Sequence, residues 1–164
     1  DGAAEPAAQI RHVFAVNTGG VVNVVAPAVE CMLPRGAGRI AMLGSLAGLR
    51  GLPSCPSYSA SKAAVHVWGQ ALRGWLAPKG ISVTVICPGY VKSPMSDRVV
   101  GTKPFMIPAD KAARMMLDGI AKGRATVVFP RLLALGIRLL AFLPEPLALF
   151  SLRFFRLTVR PGGF

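Results

Sequence analysis

The chain has 164 residues, a length typical of a single domain. Lys and Arg number 19 against 7 Asp and Glu, so the formal net charge at pH 7 is +12. Hydrophobic residues make up 52% of the chain and charged residues 16%, which excludes an intrinsically disordered protein. Its 18 glycines and 14 prolines follow no G-X-Y period, so they indicate turns between elements rather than collagen.

Helical and strand-like segments alternate along the first 129 residues. Apolar positions recur at helical spacing between residues 7 and 33, whereas residues 81–87 are rich in β-branched side chains, as expected of a buried strand. Asp110 is the predicted N-cap of the third helix, and Gly123 follows that helix at C′. The predicted elements are a helix over 7–33 kinked at Gly19-Gly20 and Pro27, a strand over 39–43, a loop over 46–57, a helix over 59–76, a strand over 81–87, an irregular segment over 90–108, a helix over 111–122 and a strand over 125–129.

This alternation predicts an α/β fold in which a parallel sheet is flanked by helices and its strands are joined by right-handed crossovers. We place a boundary after residue 129, because leucines and phenylalanines alternate with arginines in the tail over 130–164. Pro144 and Pro146 divide this apolar, basic tail in two. Contact with a membrane surface and packing on the fold or a neighbouring subunit both stay open for it.

The first helix also has to be weighed as a membrane span, because no charged residue lies between Arg11 and Glu30. Polar and helix-breaking residues lower the hydrophobicity of that interval: His12, Asn17, Asn23, the Gly19-Gly20 pair and Pro27. A buried helix is therefore favoured over a membrane span. The chain opens at Asp1 without a basic segment and apolar run, so no signal peptide is visible. We expect it to be a piece of a longer chain.

Cysteine and histidine positions indicate neither disulfides nor metal binding. Cys31, Cys55 and Cys87 are widely spaced and form no C-x-x-C pair. His12 and His66 have no Cys, Asp or Glu at ligand spacing, so no metal site is predicted. Because no disulfide is predicted, the sequence favours a protein of a reducing compartment. We therefore expect a cytoplasmic protein, with membrane association as the alternative.

Tyr58 and Lys62 lie four residues apart at the start of a predicted helix, so their side chains project from one face. An ammonium group held beside a phenol lowers its pKa toward neutral pH, which suits proton transfer. Ser45 closes the preceding predicted strand, at the edge where parallel sheets bind ligands. Asn17 lies within the first helix, and Gly89 follows the second strand, where glycine permits close approach of a ligand to the backbone.

In this order and spacing, these residues resemble the short-chain dehydrogenase/reductase family. The family's Asn-Ser-Tyr-Lys tetrad is matched by Asn17, Ser45, Tyr58 and Lys62. Residues 88–95 look like the family's segment after its sixth strand, with Ser where Thr is usual at position 93. The likeness spans about residues 5–125 and implies the second half of a doubly wound, Rossmann-like sheet.

The resemblance implies a role for each matched residue. Tyr58 would exchange a proton with the carbonyl or alcohol, and Lys62 would lower the Tyr58 pKa and bind the nicotinamide ribose. Ser45 would hold the substrate oxygen, and Asn17 would support a water that leads protons to Lys62. The cofactor, NAD or NADP, would be docked by Tyr58, Lys62, the backbone near Pro88, Gly89 and Val91, and the Ser93 hydroxyl.

One part of the family pattern is missing from this sequence. The glycine-rich turn T-G-x-x-x-G-x-G, which cradles the pyrophosphate, does not occur, and Gly36-Ala37-Gly38 precedes a strand rather than following one. We therefore expect a chain that starts just before the family's fifth strand, with an exposed apolar edge along residues 39–43. Little or no turnover is expected from it, and a non-catalytic remnant that only associates with subunits or membranes is the alternative.

The expected activity is that of an NAD(P)-dependent oxidoreductase that interconverts a ketone or aldehyde and an alcohol. The family resemblance also predicts a homo-oligomer. The apolar tail favours a lipophilic substrate. Five apolar residues in and near the 90–120 segment fit core packing and a pocket wall equally well: Met95, Phe105, Met106, Met115 and Met116. The positive charge lacks a stacking motif or reading helix, so no nucleic-acid partner is predicted.

Overall fold

The described residues, 5–152 and 157–159 of a computed structural model, alternate helices with strands as the sequence predicts. A π-helical turn over Ala15–Gly19 joins the first two helices, and a short 3-10 turn over Leu46–Gly48 follows the first strand. The elements are α1 (Ala7–Phe14), α2 (Gly20–Met32), β1 (Gly38–Leu43), α3 (Pro56–Leu76), β2 (Ile81–Pro88), α4 (Pro94–Asp97), β3 (Val99–Gly101), α5 (Ala109–Ala121), β4 (Thr126–Phe129), α6 (Arg131–Phe142), α7 (Glu145–Leu152) and β5 (Leu157–Val159).

The central sheet consists of three parallel strands in the order β1-β2-β4. Ile40 lies opposite Val83, and Ile86 lies opposite Val127. This confirms the α/β class and the partial Rossmann-like parallel sheet. Within the described part of the chain β1 pairs on one side only, and Leu43 is 51% exposed, so the expected apolar edge is present.

The two faces of β2 are covered by different helices, which explains why this strand reads as continuously apolar. Val83 and its neighbours on one face pack against residues of α2 and α3, including Val29 and Val65. Further along the same face, Cys87 packs with Ala134 of α6, so the first part of the predicted tail belongs to the core. Ile86 on the opposite face packs with residues of α5 and β4.

The first predicted helix, over 7–33, buries part of its surface in the core. By length and composition alone, the 29-residue helical stretch Ala7–Arg35 is apolar enough to cross a membrane, with a hydropathy of 1.4. In the fold it contributes Val13, Val25 and Val29, each at most 6% exposed, to the interior. The predicted kink at the glycine pair is instead a π turn that ends at Gly19.

Two predicted boundaries are wrong. Asp110 is not an N-cap: the extended residue Pro108 precedes α5, so Asp110 falls in the first turn and pairs with Arg114. The helix predicted from residue 59 begins at Pro56, because proline is favoured in the first turn of a helix. The segment 90–108, predicted irregular, contains α4 and β3, and β3 pairs antiparallel with β5.

Gly48 determines how closely the turn after β1 approaches α3. A Cβ at this position would lie 2.6 Å from the carbonyl carbon of Lys62 and 2.8 Å from the amide nitrogen of Ala63. Both are backbone atoms, which have little room to move. The turn that follows Ser45 can therefore lie against the helix that carries Lys62 only with glycine at position 48.

We expect Gly48→Ala to lower the free energy of unfolding by about 1–3 kcal/mol, because the added methyl group overpacks this contact. Urea unfolding followed by circular dichroism measures the change. Gly51→Ala is the matched control, since a Cβ there meets nothing within 4 Å and its φ is not left-handed. Equal stability of the two variants would contradict the assigned contact.

Candidate active site

All the residues predicted for the site border a single cavity. It has a volume of about 1080 Å³ and opens beside the carboxyl ends of β1 and β2, the edge at which parallel sheets bind ligands. The predicted residues that line it are Asn17, Ser45, Tyr58, Lys62, Pro88, Gly89, Val91 and Ser93. The four side chains of the predicted tetrad, separated by up to 45 positions in sequence, are therefore neighbours in space.

The Tyr58 phenol is hydrogen-bonded to the Ser45 side chain. Ser45 lies two residues beyond the end of β1 in an extended conformation. Its Oγ also accepts a hydrogen bond from the Ala47 amide at 3.1 Å, at the start of the 3-10 turn that leads toward α3. Burial raises the pKa of Tyr58 above its usual value, and the hydrogen bond to Ser45 opposes that rise. At neutral pH, Tyr58 is therefore a protonated phenol.

Lys62 lies one helical turn beyond Tyr58 and is 9% exposed. Its Nζ donates a hydrogen bond to the Leu43 carbonyl at 3.1 Å and lies 5.7 Å from the centroid of the Tyr58 ring. Burial lowers the pKa of Lys62. The sequence predicted that Lys62 lowers the Tyr58 pKa. Burial raises the Tyr58 pKa overall, and the effect of Lys62 on it stays a prediction.

Asn17 is held by the π-helical turn between α1 and α2. Its Nδ2 donates to the Ser61 Oγ at 3.1 Å, and that hydroxyl donates to the Tyr58 carbonyl at 2.8 Å. The amide thus ties the first helix to the backbone of Tyr58 itself. Sequence reasoning predicted the residue but not the π turn, a form often found at functional sites.

The segment after β2 serves the fold as well as the cavity. The Gly89 amide donates to the Phe129 carbonyl at 2.7 Å, and a Cβ on Gly89 would lie 3.2 Å from side-chain carbons of Leu46 and Leu133. Glycine therefore allows close packing of Leu46 and Leu133 at this position, whereas the sequence suggested only close approach to a ligand. The neighbouring Tyr90 also lines the cavity, and burial raises its pKa to about 12.

Ser93 is less free to hold a cofactor than the resemblance implies. Its Oγ accepts a hydrogen bond from the Ser96 amide at 3.2 Å and donates to the Val91 carbonyl at 3.3 Å. The Ser96 hydroxyl bonds in return to the Ser93 amide, which completes a capping box at the start of α4. A hydrogen bond from the Ser93 hydroxyl to a ligand would have to replace its bond to Val91.

Cys87 and His66 are in contact with each other behind the site. The buried Cys87 thiol lies 3.5 Å from the Nδ1 of His66, and burial raises its pKa to about 11, so it is an unreactive thiol at neutral pH. The three cysteines are free. Over residues 5–152 and 157–159, no three His, Cys, Asp or Glu side chains are grouped so that they could hold a metal ion.

The structure distinguishes pocket from core among the methionines that the sequence left open. Met95 and Phe105 line the cavity, whereas Met115 and Met116 of α5 pack against the buried cluster around Ile86. Phe105 has a φ of 56°, an unusual value for a residue with a bulky side chain. The segment between β2 and α5 therefore forms one wall of the site.

The donor groups around the cavity suit one half of a dinucleotide. A phenol, an amine and the backbone of residues 88–91 can bond to a ribose and a carboxamide, as the nicotinamide half requires. In the described part of the chain, no glycine-rich turn joins the end of a strand to the start of a helix. The residues present therefore fit the nicotinamide half and leave the adenosine half without its usual binding turn.

Comparison with known proteins agrees with this geometry. The family model described as short chain dehydrogenase matches residues 3–103. An uncharacterized oxidoreductase of Myxococcus xanthus is 35% identical over 142 residues, which cover 87% of this chain and 56% of the relative. An acetoacetyl-CoA reductase of Allochromatium vinosum is 42% identical over 84 residues, 51% of this chain and 34% of the relative.

A solved structure shows the same fold. The short chain dehydrogenase of Burkholderia cenocepacia, determined in complex with NADP, aligns with a TM-score of 0.72 and 27% identity over 82% of this chain and 56% of that one. This chain therefore spans 56% of the Myxococcus and Burkholderia proteins and 34% of the Allochromatium reductase. The match to the family model covers more than half of its residues, and the chain belongs to the short-chain dehydrogenase family.

Proposed function

We propose that this chain forms the catalytic part of an NAD(P)-dependent oxidoreductase that reduces a ketone or aldehyde to an alcohol and catalyses the reverse reaction. The observation that carries the proposal is the hydrogen bond between Ser45 and a protonated Tyr58 beside the buried amine of Lys62. The named activity of the Allochromatium relative and the NADP in the Burkholderia structure support it. The protein is proposed to work in the cytoplasm.

The raised Tyr58 pKa favours the direction of reduction at neutral pH. Tyr58 donates its phenolic proton to the carbonyl oxygen, and the Ser45 hydroxyl holds the same oxygen. In the reverse direction Tyr58 has to lose its proton first, so alcohol oxidation is favoured by higher pH. Asn17 and Lys62 lie on the cavity wall where a water can return a proton to the phenol.

NAD or NADP supplies the hydride when it is bound. We propose that Tyr58 and Lys62 contact the nicotinamide ribose, and that the backbone near Pro88, Gly89 and Val91 holds the carboxamide with the Ser93 hydroxyl. The residue that would distinguish NAD from NADP follows a strand that this sequence does not include. Without the glycine-rich turn, the 164-residue chain should bind the cofactor weakly and turn over slowly.

Replacing the proposed acid tests the function directly. We expect Tyr58→Phe to lower ketone-dependent NADPH oxidation by about 100-fold to 10,000-fold, the usual contribution of a general acid. The measurement follows NADPH absorbance at high protein concentration. Tyr90→Phe is a matched control, because it removes the only other phenol of the chain from the same cavity and should retain most of the turnover.

The alternative is a non-catalytic remnant that acts only by association. A ligand that binds the folded state raises the melting temperature, so a chain that never responds to NADPH or NADH would favour the remnant. If the melting temperature responds to cofactor but Tyr58→Phe and the original chain turn over equally, Tyr58 is not the acid. The proposed cofactor site would still stand.

Exposed apolar side chains on two helices favour a homo-oligomer. Val24 is 70% exposed on α2 and Val67 is 63% exposed on α3, although both helices bury their opposite faces in the same core. A second copy could cover this surface without obstructing the cavity. We propose that subunits associate through these helices.

As a second proposal, helices α6 and α7 of the tail contact a lipid surface. Leu135, Leu139 and Phe142 on α6 and Phe150 on α7 are each more than half exposed, and arginines at positions 131 and 138 accompany them. Apolar residues with cationic neighbours suit the interface of an anionic membrane.

Co-sedimentation with liposomes tests this second proposal. We expect the chain to sediment with vesicles that contain phosphatidylserine and to remain in solution with neutral ones, because arginines contribute to binding. A Leu139→Glu, Phe142→Glu variant should lose binding, and Val24→Glu on α2 is the control. Equal partitioning of all three chains would contradict membrane contact. Dimer formation in the absence of lipid would indicate that the tail contacts a second subunit instead.

A further inference from the structure

The cavity extends well beyond the reacting groups, along α6. Five residues on one face of this helix line it: Leu132, Leu133, Gly136, Ile137 and Leu140. Their spacing of three and four positions places them on the same side of the helix. Phe105 from the segment after β2 and Leu152 from α7 form other parts of the wall. The volume of about 1080 Å³ lies just above the usual range for small-molecule sites, about 300–1,000 Å³.

Polar chemistry is concentrated at one end of this cavity. Lys62 is the only charged residue that lines it within residues 5–152. Two hydroxyl groups of the lining already donate to backbone carbonyls at 2.9 Å, the Ser151 Oγ to Leu147 and the Ser96 Oγ to Ser93. A charged or sugar-like group would find no free partner along α6, whereas an apolar chain would lose nothing there.

Gly136 opens a groove in the α6 wall. A Cβ added at this position would meet no atom within 4 Å. Glycine is among the least favourable residues inside a helix, and neither packing nor a left-handed φ requires it here. The side chains of Leu133 and Leu140, which also line the cavity, lie about one turn to either side of this open position.

We infer that an unbranched alkyl or acyl chain, attached to the reacting carbonyl, lies in this groove over Gly136. The inference rests on the proposed function, because it takes the carbonyl to be held at Ser45 and Tyr58. The polar end of the substrate is then fixed at the tetrad, and its apolar chain runs along α6 toward the rim of the cavity, where Gly136 is exposed. Position 136 sets the chain length that the site accepts.

Binding of a series of methyl ketones to the 164-residue chain tests this assignment. Dissociation constants for chains of about six to twelve carbons are measured from displacement of a fluorescent undecanoyl probe, and affinity should rise about threefold to fourfold per buried methylene. In Gly136→Leu the increase should stop at the length that reaches position 136, and the longest ketone should bind at least tenfold more weakly than to the original chain.

The control is Ala141→Leu, which adds the same side chain to an exposed position of α6 outside the cavity and should keep the original length dependence. If Gly136→Leu does not fold, Leu140→Trp blocks the groove one turn further on. An unchanged length dependence in the folded blocking variant would overturn the inference. Length-dependent binding together with turnover that Tyr58→Phe leaves unchanged would contradict the proposed function and leave the chain site standing.

Discussion

A phenol acts as an acid at neutral pH only while it stays protonated and correctly placed, and in this fold burial keeps Tyr58 protonated while the contact with Ser45 fixes its hydroxyl. Burial raises the Tyr58 pKa, and the hydrogen bond to Ser45 limits that rise and fixes the position of the hydroxyl. The contact exists because the end of β1 and the first turn of α3 are brought together. The close approach of the Gly48 turn to the backbone at Lys62 holds them there.

The surrounding polar groups support the same two side chains. Lys62 is directed to the Leu43 carbonyl at the end of β1, and Asn17 is linked through Ser61 to the backbone of Tyr58. The polar end of the cavity is therefore a network anchored in three elements of the fold. Such a network keeps a reacting geometry more reliably than side chains on one mobile loop.

The sequence predicted the parts of this protein that depend on local pattern. Residues 81–87 were identified as a buried strand from β-branched composition, and Tyr58 and Lys62 were placed on one helix face by spacing. The α/β class and the family followed from these motifs. Asp110 was placed wrongly as a cap because aspartate suits both the cap and the first turn, and only the extended Pro108 distinguishes the two.

Features that depend on tertiary packing could not be predicted in the same way. The raised Tyr58 pKa results from burial by residues distant in sequence, whereas the local spacing suggested only the effect of Lys62. The capping box at Ser93 had only a weak sequence signal, the serine three residues later. The family resemblance assigned the Ser93 hydroxyl to the cofactor instead. Likewise, the groove at Gly136 becomes visible only when α6 lies against the sheet.

Tyr58 is a neutral phenol whose pKa is raised by burial, and the hydrogen bond to Ser45 moderates that rise. The chain has two tyrosines, so in a Tyr90→Phe background the ultraviolet absorbance of phenolate titrates Tyr58 alone. We predict a midpoint above the ordinary value of 10.0, and a further rise in Ser45→Ala because the moderating hydrogen bond is lost. A midpoint at or below that value, or one that Ser45→Ala leaves unmoved, would contradict the account.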